Sequence, residues 1–493
     1  MKWLTPWTEN VDKCVVDGQG KEMKTEMEKD MVLLSRRSFV KAALAAGAFS
    51  YVGCSLFRGE RVRLACVGIG QQAWNDIREF QKTGLCEIAA LCDTDLDGPQ
   101  CVEALKAYPN APRFRDFRKM LDAMDGRIDA IAVMNPDFSH FPALMAAMKR
   151  GLAVFSEKPL AHTFEECELL MAAAAKYGVV TQMGNQGHSG ENYYQFKHYV
   201  ETGVIDVSKL TKLTAHMNNP RRWHKWNGKV SAFPKGETMP KGIDWDTWLG
   251  TASYHAYSKD YVQGEWRSWY DFGNGCLGDW GAHTMDTMHR FFELGLPTEV
   301  KIRDVKGWNP YVFPMQDTLT FRFAAKGRRP AIDLEWYEGL TNKPRLPEGY
   351  RALAWGEDIP AAKGSTAADA AKNLTPGKFF ELSDGTAWQG GSHSAAISIC
   401  GSDEKLPDYP EVGSNHYANF LLSVMGREEP RSPFSVTGPL SEVFCLGCIA
   451  QRLNRAIKFD AVLKRIVGDD EANALLKGSK DTPRKGWEEF YRI

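Results

Sequence analysis

The stretch Val62-Arg63-Leu64-Ala65-Cys66-Val67-Gly68-Ile69-Gly70-Gln71-Gln72-Ala73 decides the fold of this chain of 493 residues. Its first half is a short apolar run, which predicts a buried strand. Its second half is a GxGxxA turn into a helix that is expected to end near Thr83. Gly68 permits the tight turn, Gly70 lets the backbone approach a pyrophosphate, and Ala73 allows the helix to pack on the strand. Since the positive end of the helix faces the phosphates, the stretch predicts a dinucleotide site.

A carboxylate follows where such a site needs one. A second apolar run, Cys86 to Cys92, predicts a strand that ends in Asp93, about 20 residues beyond the glycines. A carboxylate at this place accepts hydrogen bonds from both ribose hydroxyls and repels a 2′-phosphate, so the expected cofactor is NAD and not NADP. The cofactor contacts predicted from these two units are Gly68, Ile69, Gly70, Gln71 and Asp93.

Strand and helix patterns continue to alternate beyond this point. Strand patterns cover residues 129–134, 152–156 and 179–183, and helical patterns cover residues 141–150 and 164–177. This alternation predicts a doubly wound parallel sheet, a Rossmann domain, whose ligands bind at the carboxyl ends of its strands. Polar clusters follow three of these strands. The further cofactor contacts that they predict are Asn135, Pro136, His140, Glu157, Lys158 and Gln186.

Composition excludes several classes of protein. The formal net charge of −1 and the lack of a basic cluster outside the first residues argue against a nucleic-acid partner. Most of the eleven cysteines are scattered through strand and helix patterns, and we interpret them as buried thiols. Cys445-Leu446-Gly447-Cys448 has the spacing of metal ligands, but it lies in an apolar run without a second pair. Two core cysteines are therefore favoured there, and no metal is expected.

The N-terminal region carries an export pattern. Ser35-Arg36-Arg37-Ser38-Phe39-Val40-Lys41 matches a twin-arginine signal, and residues 42–53 form a mildly apolar stretch too short to span a membrane. The alternative interpretation is an ordinary basic helix start. We expect residues 1–59 to be an N-terminal extension with an export signal, and the protein to be periplasmic. Because twin-arginine export moves folded proteins and free NAD is scarce outside the cell, the cofactor is expected to be tightly bound.

The end of this region leaves two questions open. Cys54 follows a glycine, as in lipoprotein signals, but Tyr51 stands where such signals usually have leucine. Membrane attachment is therefore expected only through a lipid on Cys54, if one is added there. Met31 makes a more usual start for an export signal than Met1 does, so the first thirty residues are open to reinterpretation.

Two motifs carry a resemblance to a known family. Glu157-Lys158-Pro159, with Asn135-Pro136 and His140 upstream, looks like a signature of the Gfo/Idh/MocA family of oxidoreductases. The second motif is Phe272-Gly273-Asn274-Gly275-Cys276-Leu277-Gly278-Asp279-Trp280-Gly281-Ala282-His283-Thr284-Met285-Asp286. It is similar to the family's glycine-rich turn followed by Asp-x-x-x-His on a helix.

The resemblance covers roughly residues 60–460 and implies two domains. Residues 60–185 are expected to form the Rossmann NAD-binding domain. Residues 186–493 are expected to form an α/β domain with a largely antiparallel open sheet, which binds substrate and joins subunits. Members of the family commonly associate through this sheet, so the resemblance implies a homodimer or homotetramer.

Three residues of these motifs are the catalytic candidates. Asp279 and His283 are four residues apart on a helix predicted from about Asp279 to Gly295, so they share one face. By resemblance, Lys158 positions and polarises a substrate hydroxyl, Asp279 is its partner, and His283 is the general base. An exchange of the roles of Lys158 and His283 stays open. The alternative is that Asp279 only caps the helix and His283 is a structural histidine.

An aromatic segment predicts the substrate class. Seven of the fifteen tryptophans fall between Trp223 and Trp280, interleaved with charged residues. Aromatic faces pack against sugar rings and charged neighbours bind hydroxyls, so a carbohydrate substrate is expected. Roughly half of these tryptophans are expected to fill a core or an interface instead. Residues 340–412 hold no recognisable motif and are expected to form connections and edge strands. The candidate substrate contacts are Trp266, Arg267 and, more weakly, His188 and His216.

Three functions fit these patterns. The leading hypothesis is an NAD-dependent sugar or glycoside dehydrogenase, in which hydride leaves a ring carbon and a keto-sugar forms. The second is an NAD-dependent glycosidase, in which transient oxidation permits elimination of the aglycone and re-reduction closes the cycle. The third is an exported sugar-binding protein without activity. The intact set of Lys158, Asp279 and His283 argues against the third.

Overall fold

The computed structural model describes residues 59–218, 230–351, 374–393 and 395–493. The export pattern, Cys54, Met31, Trp223 and Trp226 lie outside the described residues, so those expectations stay predictions. Among the helices of the described ranges, none is both long and apolar enough to cross a membrane.

The first sheet is parallel and confirms the predicted Rossmann fold. Its strands are β1 (Val62–Val67), β2 (Cys86–Cys92), β3 (Arg113–Phe114), β4 (Ala130–Val133), β5 (Ala153–Ser156) and β6 (Thr181–Met183). Its helices are α1 (Gln72–Lys82), α2 (Val102–Ala107), α3 (Phe117–Ala123), α4 (His140–Lys149) and α5 (Phe164–Tyr177). In the described part of the chain the strand order is β3-β2-β1-β4-β5-β6. The order reverses beside β1, and this reversal creates the crevice in which ligands bind.

The second sheet is mixed and mostly antiparallel, as expected. Its strands are β7 (Leu210–Met217), β8 (Glu299–Lys306), β9 (Gln316–Phe323), β10 (Ile332–Glu338), β11 (Gly377–Leu382), β12 (Ala387–Gly391), β13 (Ser398–Ile399), β14 (Ile457–Asp460) and β15 (Arg465–Ile466). Within the described ranges their order is β13-β12-β11-β7-β10-β9-β8-β14-β15, and only β7 and β10 pair in parallel. The expectation that residues 340–412 supply edge strands is wrong for β11, which hydrogen-bonds to both β7 and β12.

Helices cover one face of the second sheet, and one of the later helices packs against the first sheet. They are α6 (Glu191–Thr202), α7 (Trp245–Leu249), α8 (Gly275–Thr284), α9 (Asp286–Phe291), α10 (His416–Val424), α11 (Phe434–Leu453) and α12 (Asp470–Lys477). α10 packs with α1 against the Rossmann sheet, where Phe80, Phe155 and Phe420 form edge-to-face pairs. α11 packs on both α5 and α8. One core therefore joins the two sheets and fixes their loops around a common cleft.

The helix predicted from Asp279 to Gly295 differs from the structure. It begins one turn earlier, at Gly275, and ends at Thr284, after which α9 begins at Asp286. A glycine inside this helix permits close packing that a sequence pattern does not reveal. A Cβ at Gly281 would lie only 2.6 Å from the ring of Phe444 in α11. Asp279 therefore lies inside α8, and the alternative that it caps the helix is wrong.

Candidate active site

A cleft opens at the carboxyl ends of β1, β2, β4 and β5, with an empty volume of about 1170 Å³ counted out to solvent. Ile69 is buried behind the glycine turn, and Gln186 does not line the cleft among the described residues. The predicted cofactor residues that do line it are Gly68, Gly70, Gln71, Asp93, Asn135, Pro136, His140, Glu157 and Lys158.

The glycine turn leaves bare backbone for a phosphate. Gly68 has a φ of +82°, and a side chain there would place Cβ 2.7 Å from the Asn135 amide nitrogen. At Gly70 a Cβ would lie 2.7 Å from Cγ of Gln100. The eleven-residue α1 follows at once, so its unbonded N–H groups face the turn. These features fit the pyrophosphate of a dinucleotide.

Asp93 ties the glycine turn to the end of β2. Its Oδ2 accepts a hydrogen bond from the Ile69 amide at 3.1 Å, and its Oδ1 accepts one from the Asp95 amide at 3.0 Å. Burial raises the pKa of Asp93, and these two backbone bonds act in the opposite direction. Each carboxylate oxygen keeps a second lone pair for a ribose hydroxyl. The site therefore fits the adenosine ribose of NAD.

His140 joins the loops that follow β4 and β5. Its Nδ1 lies 2.9 Å from the Pro159 carbonyl, and its Nε2 lies 2.8 Å from the Asn135 carbonyl. Burial lowers the pKa of His140 to about 4, although both carbonyls favour the charged ring. At neutral pH the ring is therefore uncharged and donates to one carbonyl. It acts as a positioning residue for the two loops that carry the site.

Glu157 belongs to a buried carboxyl cluster at the inner wall of the cleft. Asp76 Oδ1 accepts hydrogen bonds from the Tyr417 hydroxyl at 2.7 Å and from Gln72 Nε2 at 3.0 Å. Burial raises the pKa of Asp76 to about 6, and burial together with the charge of Asp76 raises the pKa of Glu157 well above its usual range. Gln186 Nε2 donates to the Tyr417 hydroxyl at 3.1 Å, so it contacts this cluster instead of the cleft.

Lys158 and Asp279 form the ion pair at the centre of the site. Lys158 Nζ donates to Asp279 Oδ1 at 2.6 Å, and the side chains are only 11% and 3% exposed. Arg267 Nη1 lies 3.4 Å from the same carboxylate oxygen and 3.6 Å from Asp137 Oδ1. Asp137 Oδ2 in turn accepts from the Asn274 amide at the start of α8. Two cations therefore share Asp279, and the loop after β4 is anchored to α8.

His283 lies one turn beyond Asp279 on the same face of α8. It is 4% exposed, and its ring stacks on His393 with centroids 3.9 Å apart. The His393 amide donates to the His283 carbonyl at 3.2 Å. Burial and the charge of Lys158 lower the pKa of His393 to about 4. Of the three predicted catalytic residues, Lys158 lines the cleft, whereas the described lining does not include Asp279 or His283. Asp279 joins the set through its bond to Lys158, and His283 lies one turn further along α8 with a neutral imidazole stacked on it.

A second buried polar cluster holds His188. Its Nδ1 lies 3.1 Å from Asp286 Oδ2 and 2.7 Å from Asn185 Nδ2. Burial acts to raise the pKa of Asp286, but the hydrogen bond and charge of His188, the charge of Lys378 and the bond from the Thr287 amide together outweigh it, and the pKa is lowered. Lys378 is fully buried, and its Nζ has no hydrogen-bond partner among the described residues. The cleft lining does not include His188.

The aromatic segment divides between core and cleft. Trp248, Trp266 and Trp269 pack in one apolar cluster with Phe272, and Trp248 and Trp266 also line the cleft. Arg267 lines it too, and its guanidinium lies 4.3 Å from the Trp266 ring centre. His216 is buried in β7, and burial lowers its pKa to about 3. The described candidates that face the cleft are therefore Trp266 and Arg267.

Cys445 and Cys448 both lie in α11. Asn274 Nδ2 contacts their sulfur atoms at 4.0 and 3.9 Å. Across the described ranges, no group of three histidine, cysteine, aspartate or glutamate side chains is placed to hold a metal ion. The two thiols pack against the turn before α8, as expected for core cysteines.

Two family models match the chain in succession. The first, an oxidoreductase family with an NAD-binding Rossmann fold, matches residues 62–185. The second, the C-terminal α/β domain of the same oxidoreductase family, matches residues 190–306. Residues 62–185 and 190–306 therefore match the two domains of the Gfo/Idh/MocA oxidoreductases. The dinucleotide cleft described above lies in the NAD-binding domain of that family.

The curated relatives include inositol dehydrogenases, and the chain spans about half the length of those it matches. Inositol 2-dehydrogenase 3 of Saccharopolyspora erythraea is 29% identical over 193 residues, which are 38% of this chain and 53% of the relative. Inositol 2-dehydrogenase/D-chiro-inositol 3-dehydrogenase of Lactiplantibacillus plantarum is 25% identical over 194 residues, 39% of this chain and 53% of the relative.

Solved structures of the Gfo/Idh/MocA fold align over most of the chain. Aldose-aldose oxidoreductase from Caulobacter crescentus, complexed with glycerol, gives a TM-score of 0.52 at 14% identity, with 81% of this chain and 100% of that chain covered. The WlbA dehydrogenase from Bordetella pertussis, in complex with NADH and UDP-GlcNAcA, also gives 0.52 at 14% identity and covers 81% and 99%. At this identity the match shows the fold alone.

Some residues of this Gfo/Idh/MocA site were not predicted from the sequence. Asp137 lies in the polar cluster that follows β4, so its position could have indicated a role. Asp76 lies on the inner face of α1. A carboxylate among apolar residues on the buried face of a helix could have indicated a role for it. His393 and Lys378 come from residues 340–412, where no motif marked them. Only the pairing of β11 and β12 with the rest of the sheet brings them near α8 and α9.

Proposed function

We propose that this protein is an NAD-dependent dehydrogenase that oxidises a ring hydroxyl of a sugar-like substrate. The observation that carries the proposal is the buried set of Lys158, Asp279 and His283 beside a cleft of the NAD-binding domain. When bound, NAD supplies the acceptor for the hydride. The substrate carbon loses a hydride, its hydroxyl loses a proton, and a carbonyl group forms.

The side chains of this set divide the proton chemistry among them. Lys158 donates a hydrogen bond to the substrate hydroxyl oxygen, and its charge stabilises the alkoxide character that develops there. Asp279 holds the Lys158 ammonium in place at 2.6 Å. His283 accepts the hydroxyl proton, because an imidazole can do so near neutral pH.

Two observations support a polyhydroxylated ring as the substrate. Trp266 offers an aromatic face to the cleft, and Arg267 offers a buried guanidinium beside it. The curated relatives include inositol dehydrogenases. Aromatic faces with flanking charged donors are the usual means of binding such rings.

The absorbance of reduced nicotinamide tests the proposal. Purified protein, with NAD added in slight excess, would be mixed with a panel of inositols, aldoses and aryl glycosides. We expect one class of ring compound to produce a lasting band and a carbonyl product. The same compounds with a Lys158→Met variant serve as the control. Steady release of aglycone without a lasting band would favour the eliminating glycosidase instead. If neither a lasting band nor aglycone release is seen, both functions are contradicted.

We also propose that the protein is exported by the twin-arginine route, on the basis of the residue pattern at Arg36 and Arg37. Fractionation of cells that produce the full chain, and of cells with Arg36→Lys and Arg37→Lys, tests this. The full chain is expected in the periplasm or on a membrane through Cys54, and the variant in the cytoplasm. An assembly of two or four copies is proposed from the family resemblance, and light scattering would measure it.

A further inference from the structure

One segment of the second domain crosses the cofactor cleft from end to end. We call residues 240–267 the clasp. At its start, the Asp244 amide donates to the Thr94 carbonyl at 2.9 Å, directly after the ribose-binding Asp93. At its end, Arg267 lies 3.6 Å from Asp137 and 3.4 Å from Asp279. The clasp therefore contacts the Rossmann loops at both the adenosine end and the reacting end of the cleft.

The clasp forms part of the cleft wall. Its residues line the same space as the glycine turn, Asp93 and Lys158. The strand ends of a Rossmann sheet leave their ligand open to solvent unless another part of the chain covers it. The clasp residues that line the cleft are Ile243, Thr247, Trp248, Val262, Gln263, Gly264, Trp266 and Arg267.

The clasp is held from inside by packed aromatic rings. Trp248 stacks on Trp245, with centroids 4.3 Å apart and planes 9° apart. Its ring centroid also lies 5.0 Å from that of Phe138, in the loop after β4, and 5.2 Å from that of Phe272. Trp248 is only 8% exposed. The clasp therefore has a core of its own, which joins the Rossmann loop to the turn before α8.

The clasp is held from outside by the end of the chain. Arg484 donates to the Gly250 carbonyl at 2.9 Å and to the Asp246 carbonyl at 2.8 Å, and its Nη1 pairs with Asp246 Oδ1 at 2.9 Å. Arg118 of α3 reaches Asp246 at 3.8 Å, and its guanidinium lies 4.3 Å from the ring of the fully buried Trp487. Rossmann domain, clasp and C-terminal segment are thus fastened together at one point.

We propose that the clasp retains NAD through repeated turnovers and supplies binding contacts to its adenosine end from the second domain. Release of NAD would require the clasp to separate from Thr94, Phe138 and Arg484. Each tenfold slowing of release corresponds to about 1.4 kcal/mol of interaction free energy that this opening must overcome. A dehydrogenase that exchanges its cofactor at each turnover needs an open cleft, whereas an enzyme with a retained cofactor needs a fixed cover.

Exchange of isotope-labelled NAD, with no sugar present, tests the clasp. Purified protein loaded with labelled NAD would be diluted into unlabelled NAD, and the bound label would be followed by rapid filtration. For the wild-type chain we expect retention over hours. Trp248→Ala removes the ring that lines the cleft and packs on Phe138, and it is expected to speed release at least about tenfold. Trp248→Phe keeps an aromatic ring there and is expected to restore most of the retention.

Matched controls separate the clasp from general loosening. Trp308→Ala truncates a tryptophan that is 42% exposed and does not line the cleft, and it should leave the release rate unchanged. Should Trp248→Ala fail to fold, Asp246→Asn removes the ion pairs that the clasp makes with Arg484 and Arg118, while the bonds from Arg484 to the two clasp carbonyls remain, and it is expected to speed release. Asp333→Asn breaks the comparable ion pair with Arg322 on the second sheet and should have no effect.

The outcomes decide the proposal without reference to sugar oxidation. Complete exchange by wild-type protein within seconds would overturn it, and so would equal release rates for wild type, Trp248→Ala and Asp246→Asn. Retained NAD in a protein that oxidises no ring compound would support the clasp while contradicting the proposed function. Faster release by the two clasp variants, with unchanged release by the two controls, would support it.

Discussion

His393 stacks on His283, with ring centroids 3.9 Å apart and an angle of 18° between the planes. Burial and the Lys158 charge lower the pKa of His393 to about 4, so the ring behind His283 is neutral at pH 7. A neutral ring fixes the orientation of His283 without opposing its protonation. His393 is therefore a positioning residue, and the stacking is what it contributes.

This relationship predicts a graded response to substitution at His393. His393→Ala removes the stacked ring and is expected to lower kcat about tenfold, by loss of general-base orientation, with little change in KM. His393→Phe keeps the stack and should restore most of kcat. Because His393 does not titrate near pH 7, the pH profile of His393→Phe should follow the wild type. If a change of kcat with pH that the wild type shows is absent from His393→Phe, then His393 itself exchanges the proton.

The Lys158–Asp279 pair should act as a unit. Lys158→Met is expected to lower kcat by roughly 100-fold or more, because the developing alkoxide loses its cation. Asp279→Asn should lower it less, since Lys158 stays but loses its orientation. The double variant should be no worse than Lys158→Met alone. Single-turnover formation of reduced nicotinamide measures each rate, and Lys176→Met, at an exposed position of α5, is the control. If the losses in activation free energy of the two single variants add up in the double variant, the two residues do not act as a pair.

Lys378 is expected to destabilise the folded chain at neutral pH. Burial lowers its pKa from the usual 10.5 to about 8, and Asp286 opposes this. Below pH 8 the side chain is protonated in both folded and unfolded states, so a burial penalty of about 3 kcal/mol is present in full. As pH rises from about 8 to 10.5, the folded state releases its proton first and the penalty falls.

Lys378→Met should therefore raise the Tm at pH 7, and the difference from wild type should shrink by pH 10. Thermal unfolding followed by circular dichroism at both pH values measures it. Lys209→Met, which removes an exposed lysine paired with Asp384, is the matched control and should not raise the Tm. A Lys378→Met protein less stable than wild type at pH 7 would mean that the ammonium has a partner in solution.

Asp93 should set the preference between NAD and NADP. Its carboxylate repels a 2′-phosphate, so Asp93→Ser is expected to weaken NAD binding. The dissociation constant for NADP divided by that for NAD is expected to fall by about tenfold or more. Quenching of protein fluorescence on titration gives both constants. Asp125→Ser, at an exposed position after α3, is the control. An unchanged ratio in Asp93→Ser would place cofactor selectivity elsewhere in the cleft.

Much of the Rossmann domain could be predicted because its signals are local. The helix pattern at residues 164–177 coincides with α5, since Thr163 and Glu166 form a reciprocal cap at its start and Gly178 adopts a left-handed conformation at its end. The start of α8 was placed one turn late, because glycines usually indicate a turn. Here the first of them, Gly275, begins the helix and permits contact with Phe313, a residue far away in the chain.

Part of the site could also be predicted, because some of its residues belong to local sequence motifs. Lys158, Asp279 and His283 belong to short motifs, and the structure brings them together. His393 and Asp137 complete the site through pairings of distant strands and loops that no local pattern encodes. The tryptophans of the clasp were expected to bind sugar or to fill a core. Trp248 does the second, and it also lines the cofactor cleft.

Transfer of deuterium tests the central claim most directly. A ring substrate from the panel, deuterated at its ring carbons, would be mixed with NAD-loaded wild-type protein and with His283→Ala, and the nicotinamide would be recovered for mass spectrometry. The account predicts one deuterium on the reduced nicotinamide of each wild-type site, and transfer slowed by roughly 100-fold or more in His283→Ala. Equal transfer by both proteins, or reduced nicotinamide without deuterium, would contradict hydride transfer from a ring carbon with His283 as the base.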